Sequence, residues 1–284
     1  MELLDGKVVA KQVKNNLKNF IKEKNVTPNL AVIQVGNNPA SSSYVKNKEK
    51  ACEYVGIASK TYHFNDGAKE EILLDFIDSL NYDDSVHGIL VQLPLPKHIN
   101  EKKILERILP EKDVDGFHVV NVGKFNIGDD DAFMSCTPLG ICHILKYYNI
   151  DVSGKECVVV GRSNIVGKPM ANALLQMDGT VTIAHSKTED LKEVCKRADV
   201  LVCAVGKPKF FNNDYIKDGA IVIDVGINRD EDGNLCGDVD FDGVKDAVYA
   251  ITPVPGGCGP MTVAMLMNNC VKAACNQNNI DMTV

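Results

Sequence analysis

Val8, Val9, Val13, Leu17 and Phe20 recur at helical spacing near the start of the chain, which predicts an amphipathic helix ending before Thr27-Pro28. A strand follows at Leu30 to Val35. Gly36-Asn37-Asn38-Pro39 reads as a turn, Ser41 to Ser43 offer caps, and the next helix carries Tyr44 to about Tyr54. Strands at Lys60 to Phe64 and Gly88 to Leu93 bracket a further helix, Lys69 to Leu80. Strands that alternate with helices imply a parallel sheet, since each crossover needs an intervening helix.

Beyond Asp113-Val114-Asp115-Gly116 the pattern turns loop-like through Gly123 and Gly128 to Asp131, until Thr137-Pro138 opens a helix with its cap and first-turn proline in place. Strands at 156 to 160, 180 to 185, 199 to 205, 220 to 225 and 247 to 251 then alternate with helical stretches, which predicts a doubly wound sheet of Rossmann type. A rigid loop, Pro253 to Pro260, precedes a closing helix from Met261 to Asn276. The expected fold is α/β with two domains and a cleft between them: an N-terminal α/β catalytic domain (1–136 plus 261–284) and a Rossmann-type domain (137–260).

At 284 residues there is room for two cores, and 45% hydrophobic with 24% charged residues excludes disordered and fibrous classes. A formal charge of −7 with no dominant basic stretch argues against nucleic acid as a partner. No apolar run approaches the ~20 residues that a membrane helix needs, and Met1 to Lys11 does not read as a signal peptide, so a cytoplasmic location is expected. The ten cysteines include no Cys-x-x-Cys pair and several lie in apolar strands, which suits buried thiols; neither a metal site nor a disulfide framework is expected.

Chemistry concentrates at two places. In Glu156-Cys-Val-Val-Val-Gly161-Arg162-Ser163-Asn-Ile-Val-Gly167-Lys-Pro169 an apolar strand breaks into a glycine-framed turn and then a helix, where the helix-start amides would face a dinucleotide pyrophosphate. The glycine spacing departs from the usual fingerprint, and a strand-to-helix turn with no ligand is the lesser alternative. The following strand ends in His185-Ser186-Lys187 instead of the acidic residue that binds an NAD ribose. Ser186, Lys187 and Arg162 offer donors to a 2′-phosphate, which favours NADP over NAD.

The second place is the rim of the first sheet, since open parallel sheets bind ligands beyond the carboxyl ends of their strands. Tyr44 and Lys48 lie one helical turn apart after the first strand, Gln92 ends an apolar strand, and Asp115 sits in the loop after it. Each has a plain structural reading (core edge, solvated lysine, strand-end cap, turn former), but all four share one predicted rim.

With these motifs assembled, the chain resembles the methylenetetrahydrofolate dehydrogenase/cyclohydrolase family nearly end to end. The resemblance runs through Tyr44-Val-Lys-Asn-Lys48-Glu-Lys-Ala, Val91-Gln92-Leu-Pro-Leu-Pro96, Lys112-Asp-Val-Asp115-Gly116, Cys136-Thr137-Pro138, Gly161 to Pro169, and Pro253-Val-Pro-Gly-Gly-Cys258-Gly-Pro-Met-Thr262. It implies NADP-dependent oxidation of 5,10-methylenetetrahydrofolate and hydrolysis of the product to 10-formyltetrahydrofolate. It further implies Lys48 as the catalytic lysine, Tyr44 beside the folate, Gln92 orienting the lysine and Asp115 holding the pterin. Gly161, Arg162, Ser163, Ser186 and Ile227 match NADP contacts, and Pro255, Gly256 and Gly257 a wall of the folate cleft.

Whether Lys48 acts as a neutral base or a protonated donor stays open in the sequence. The pattern departs from the family's at Cys258, where valine is usual, and at Ser135, where proline is usual; Cys258 is expected to make the glycine loop sensitive to thiol reagents. On resemblance alone a homodimer through the nucleotide domains is expected. Two other readings explain part of the chain: an NADP-dependent dehydrogenase of another small metabolite, and a non-catalytic NADP-binding sensor.

Overall fold

A computed structural model describes residues 1–37 and 39–282; Asn38, the side chains of residues 39–43, Thr283 and Val284 lie outside the described residues, and with them the caps expected at Ser41 to Ser43. The chain divides into two compact units. One comprises Lys11–Met134 with Val263–Val284, the other Met1–Ala10 with Ser135–Thr262.

In chain order the elements are β1 (Glu2–Leu3), α1 (Gly6–Lys24), β2 (Asn29–Val35), α2 (Pro39–Val55), β3 (Ala58–Phe64), α3 (Glu70–Asn81), β4 (Gly88–Val91), α4 (Glu101–Leu105) and α5 (Val119–Asn126). After them come α6 (Cys136–Tyr147), β5 (Glu156–Val160), α7 (Gly167–Gln176), β6 (Thr180–Ala184), α8 (Leu191–Lys196), β7 (Val200–Cys203) and β8 (Ile221–Asp224). A small hairpin, β9 (Asn228–Arg229) with β10 (Leu235–Cys236), precedes α9 (Phe241–Val244), β11 (Ala250–Ile251) and α10 (Cys258–Gln277).

The unit containing Lys11–Met134 is built on a three-stranded parallel sheet in the order β3-β2-β4. Central β2 is apolar along almost its whole length because helices cover both faces, which leaves no side for polar residues. Ala31, Ile33 and Val35 pack on one face with Leu73, Ile77, Ile89 and Val91, while Leu30 and Val32 are buried on the other. Tyr62, Phe64 and Phe76 close the first layer with edge-on ring contacts.

The other unit holds a six-stranded parallel sheet in the order β1-β11-β8-β7-β5-β6. Counted from β5, the order is that of a doubly wound fold whose direction of winding reverses between β5 and β7, and ligands bind such sheets at that switch point. Val158, Val160, Leu201, Cys203 and Val222 are fully or almost fully buried in its core, with Phe211 inserted from the segment after β7.

Three features depart from the sequence pattern. Residues 1–10, expected in the first domain, belong with 135–262, because β1 pairs in parallel with β11 and Leu4 N–H donates to the Ile251 carbonyl (2.9 Å). A two-residue strand carries no periodicity to read. Within the segment read as loop, Val119–Asn126 is helical, and its first turn is capped by His118, whose Nδ1 accepts from Val120 N–H (3.1 Å). Its valines are exposed, so the apolar stripe that would announce a packed helix is missing. The third is the β9-β10 hairpin, equally short.

Candidate active site

Lys48 and Gln92 meet. Helix α2 starts from the carboxyl end of β2, and Lys48, half-buried on its third turn, donates from Nζ to Gln92 Oε1 at 3.0 Å. Gln92 is the residue after β4; its N–H donates to the Ile33 carbonyl (2.9 Å) and its Nε2 to the Leu93 carbonyl (2.8 Å). With the amide nitrogen committed to a carbonyl, the amide oxygen is the end that faces the lysine. Glu49 is not the lysine's partner, since its Oε1 accepts from Thr61 Oγ1 (2.6 Å). Tyr44 stands exposed one turn earlier on the same helix.

Asp115 sits half-buried in a loop whose shape comes from Asp113, a residue the sequence reading passed over. Asp113 Oδ1 accepts from Gly116 N–H (3.1 Å), and Oδ2 from His118 N–H (2.8 Å) and Asn121 Nδ2 (2.9 Å). Burial lifts the Asp113 carboxyl above its ordinary value, with Asn121 and the His118 amide pulling the other way. A parallel bridge between Ile89 and Asp113 runs this loop alongside β4, so Asp115 follows the bridge in the direction that leads to Gln92. The readable signal was the Asp-x-Asp-Gly spacing, with the first acid the more buried of the two.

The nucleotide residues cluster at strand ends in the other unit. Gly161 leaves β5 with φ +142°, and a Cβ there would overlap the Ala204 carbonyl oxygen at the end of β7; one on Gly167 would overlap the Gly161 carbonyl. Both glycines are therefore required by backbone proximity at the switch point. Val160 pairs with Ala184, so Arg162 and Ser186 each lie two residues beyond the ends of adjacent strands, both exposed. No carboxylate occurs among residues 185–188. Ile227, 51% exposed, lies in the loop after β8.

Two expectations change in this unit. The helix-start amides predicted to face a pyrophosphate are spent internally: Ser163 Oγ accepts from Val166 N–H (3.1 Å) and Gly167 N–H (3.3 Å). Ser163 keeps its own hydroxyl hydrogen as a donor. Cys258 is not a reactive thiol. It is buried, donates to the Asp224 carbonyl (3.3 Å), and burial with the nearby Asp224 charge pushes it up to about 12, so almost no thiolate is present near neutrality. Ser135, at the other departure, donates to the Ile165 carbonyl (2.6 Å), a bond that proline cannot make.

Pro255, Gly256 and Gly257 form a tight turn in which Gly257 N–H donates to the Pro253 carbonyl (2.7 Å) and Lys7 N–H to the Gly256 carbonyl (3.1 Å). A Cβ on Gly257 would lie 2.7 Å from both the Pro253 oxygen and Thr252 Cβ, and one on Gly256 3.2 Å from Lys7 Cε. The close approach these glycines permit is to the chain's own backbone and Lys7. Among the described residues no group of His, Cys, Asp or Glu is arranged to hold a metal ion, and none of the ten cysteines is joined in a disulfide.

A lysine-bearing rim on one α/β unit and a glycine-framed switch point on a doubly wound unit define a two-domain dehydrogenase-type enzyme. The chain belongs to the tetrahydrofolate dehydrogenase/cyclohydrolase family: the family's catalytic domain matches residues 4–115 and its NAD(P)-binding domain residues 135–278. It is 58% identical to the bifunctional protein FolD of Agathobacter rectalis over 274 residues, 95% of this chain and 98% of that protein. The crystal structure of the bifunctional dehydrogenase/cyclohydrolase FolD from Campylobacter jejuni superposes with a TM-score of 0.95 at 53% identity, covering 97% of this chain and 99% of that one. The Trypanosoma brucei enzyme, crystallised with NADP and an inhibitor, gives a TM-score of 0.91 at 35% identity, covering 96% and 97%.

Proposed function

We propose that this chain oxidises 5,10-methylenetetrahydrofolate with NADP and hydrolyses the resulting 5,10-methenyltetrahydrofolate to 10-formyltetrahydrofolate. The observation that carries the reading is the Lys48–Gln92 hydrogen bond on the sheet rim, within a chain whose two family domains both match. In this reading the unit of Lys11–Met134 and Val263–Val284 binds folate, and the unit of Ser135–Thr262 with Met1–Ala10 binds NADP.

Hydrolysis requires a proton to move at the attacking water or at a folate nitrogen, and Lys48 Nζ is the group assigned to it. Gln92 fixes the direction of Nζ, which converts a long flexible amine into an oriented one. Asp115 takes the pterin's N–H groups on its carboxylate, in a loop made rigid by Asp113. Tyr44 flanks the folate, and a part for Pro255, Gly256 and Gly257 in holding it rests on the resemblance alone.

The residues present fit NADP. Gly161 and Gly167 keep the switch point free of side chains, Ser163 retains a hydroxyl donor, Arg162 and Ser186 follow adjacent strand ends and offer donors to a 2′-phosphate, and Ile227 offers an apolar surface. When bound, NADP supplies the hydride acceptor; the protein's task is to hold two planar reactants in register. An absorbance assay at the reduced-nicotinamide band with methylenetetrahydrofolate tests the activity. Reduction with another small metabolite instead, or nucleotide binding with no turnover, overturns it.

Arg162→Ala is expected to raise the Michaelis constant for NADP by roughly ten- to a hundredfold, the worth of one charge-assisted hydrogen bond, and to leave use of NAD nearly unchanged. Equal losses with both nucleotides remove Arg162 from the phosphate. A homodimer through the nucleotide unit is supported by β6, an edge strand with Ile183 44% and the neighbouring α7 residue Leu175 60% exposed, a combination that natural sheets usually cover. Among the described residues no helix is long and apolar enough to cross a membrane, which accords with a cytoplasmic place of work.

A further inference from the structure

One buried carboxylate holds two of the loops that leave the strand ends of the nucleotide unit. Asp238, two residues past β10, is fully buried. Its Oδ2 accepts the N–H groups of Val205 (2.6 Å) and Gly206 (3.0 Å), and its Oδ1 those of Lys207 (2.9 Å) and the Asn228 side chain (2.8 Å). Three consecutive amides thus converge on it from the loop after β7, and a fourth donor comes from the residue next to Ile227.

Asp238 is itself anchored. Its N–H donates to Asp224 Oδ1 (2.9 Å), which also takes Gly226 N–H (3.0 Å), while Val239 N–H donates to Oδ2 (2.9 Å). Side chains are excluded here: a Cβ on Gly226 would overlap Asp238 Oδ1, and one on Gly237 would overlap Asp224 Oδ2. The tip of the first loop is different, since a Cβ on Gly206 (φ +66°) would meet nothing within 4 Å.

Burying a carboxylate is expensive unless donors surround it, and packing alone is served as well by an apolar side chain. What the carboxylate adds is direction, because it fixes three successive amides and the Asn228 side chain at set angles. The loop after β7 stands at the switch point beside Gly161, and Ile227 is exposed at the next strand end, so both captured loops border the place where a dinucleotide belongs.

We propose that Asp238 is a positioning residue for NADP, acting through the loop after β7 and through Asn228 on Ile227. This rests on the reading of this unit as the NADP site with Ile227 in contact. Asp238 need not touch the nucleotide; it sets the surface that does.

The test uses the full chain with two substitutions. Asp238→Asn keeps the shape but turns an amide toward N–H donors; Asn228→Ala removes one donor and leaves three backbone amides on Asp238, so it preserves the fold if the first does not. NADP is varied in the dehydrogenase assay, and hydrolysis of methenyltetrahydrofolate is measured without nucleotide. The Michaelis constant for NADP is expected to rise about threefold in Asn228→Ala and at least about tenfold in Asp238→Asn, with hydrolysis within about twofold of the parent.

Parental NADP constants in the folded variants overturn the proposal, as does an equal loss of hydrolysis, which marks a general structural role. If the parent itself fails to reduce NADP, the cofactor assignment falls and this proposal with it. A working parent with unaffected variants removes Asp238 alone.

Discussion

Lys48→Met is expected to reduce hydrolysis of methenyltetrahydrofolate by roughly 10²- to 10⁴-fold, the usual worth of a positioned proton-transfer group, while folate and NADP still bind. Methionine matches the lysine stem in length and fills the same half-buried path along α2, so the fold has no reason to change. Gln92 Oε1 loses its donor, but at a rim open to water that loss is cheap. Product formation under single turnover, with folate and NADP affinities measured by titration, separates chemistry from binding; hydrolysis near the parental rate removes Lys48 from its role.

Gly161→Ala is expected to cost about 2–4 kcal/mol of stability and to abolish NADP binding. Two penalties coincide: φ is +142°, which L residues rarely adopt, and the new methyl meets the Ala204 backbone oxygen, which has no rotamer to escape into. Relief requires β5 and β7 to part at the switch point, where the loop after β7 carries the three amides bound to Asp238. A urea midpoint and an NADP titration measure the two effects; an alanine variant with the parental midpoint shows that the strand exit relaxes at little cost.

Much of this arrangement was legible in the sequence because parallel strands covered on both faces read as short apolar runs: Leu30 to Val35 and 156 to 160 lie within a residue of β2 and β5. Lys48 and Gln92 could be linked because each follows a strand, and strand ends in such sheets gather on one edge. What escaped were features with no local pattern. β1 exists only through β11, nearly 250 residues away. Asp238 carries no motif of its own, and the donors that reveal it come from residues 205–207 and 228. Cys258 looked reactive because sequence does not report depth. Gly256 and Gly257 suggested room for a ligand, whereas their neighbours include Thr252, Pro253 and Lys7.

The division of α10 between the two units decides the order in which a ribosome can deliver finished parts. All of Met1–Ala10 and Ser135–Thr262 has been synthesised before Val263–Gln277 is added, and those last turns of α10 belong to the unit that begins at Lys11. Although most of the lysine-bearing half is translated first, the nucleotide half is the first to have its whole sequence available. The earlier-made segment must wait, with an incomplete apolar interior, until α10 has been made. An isolated fragment of 135–262 would lack β1 and present β11 as a raw sheet border, so a soluble nucleotide module is best made by fusing the first ten residues back onto it.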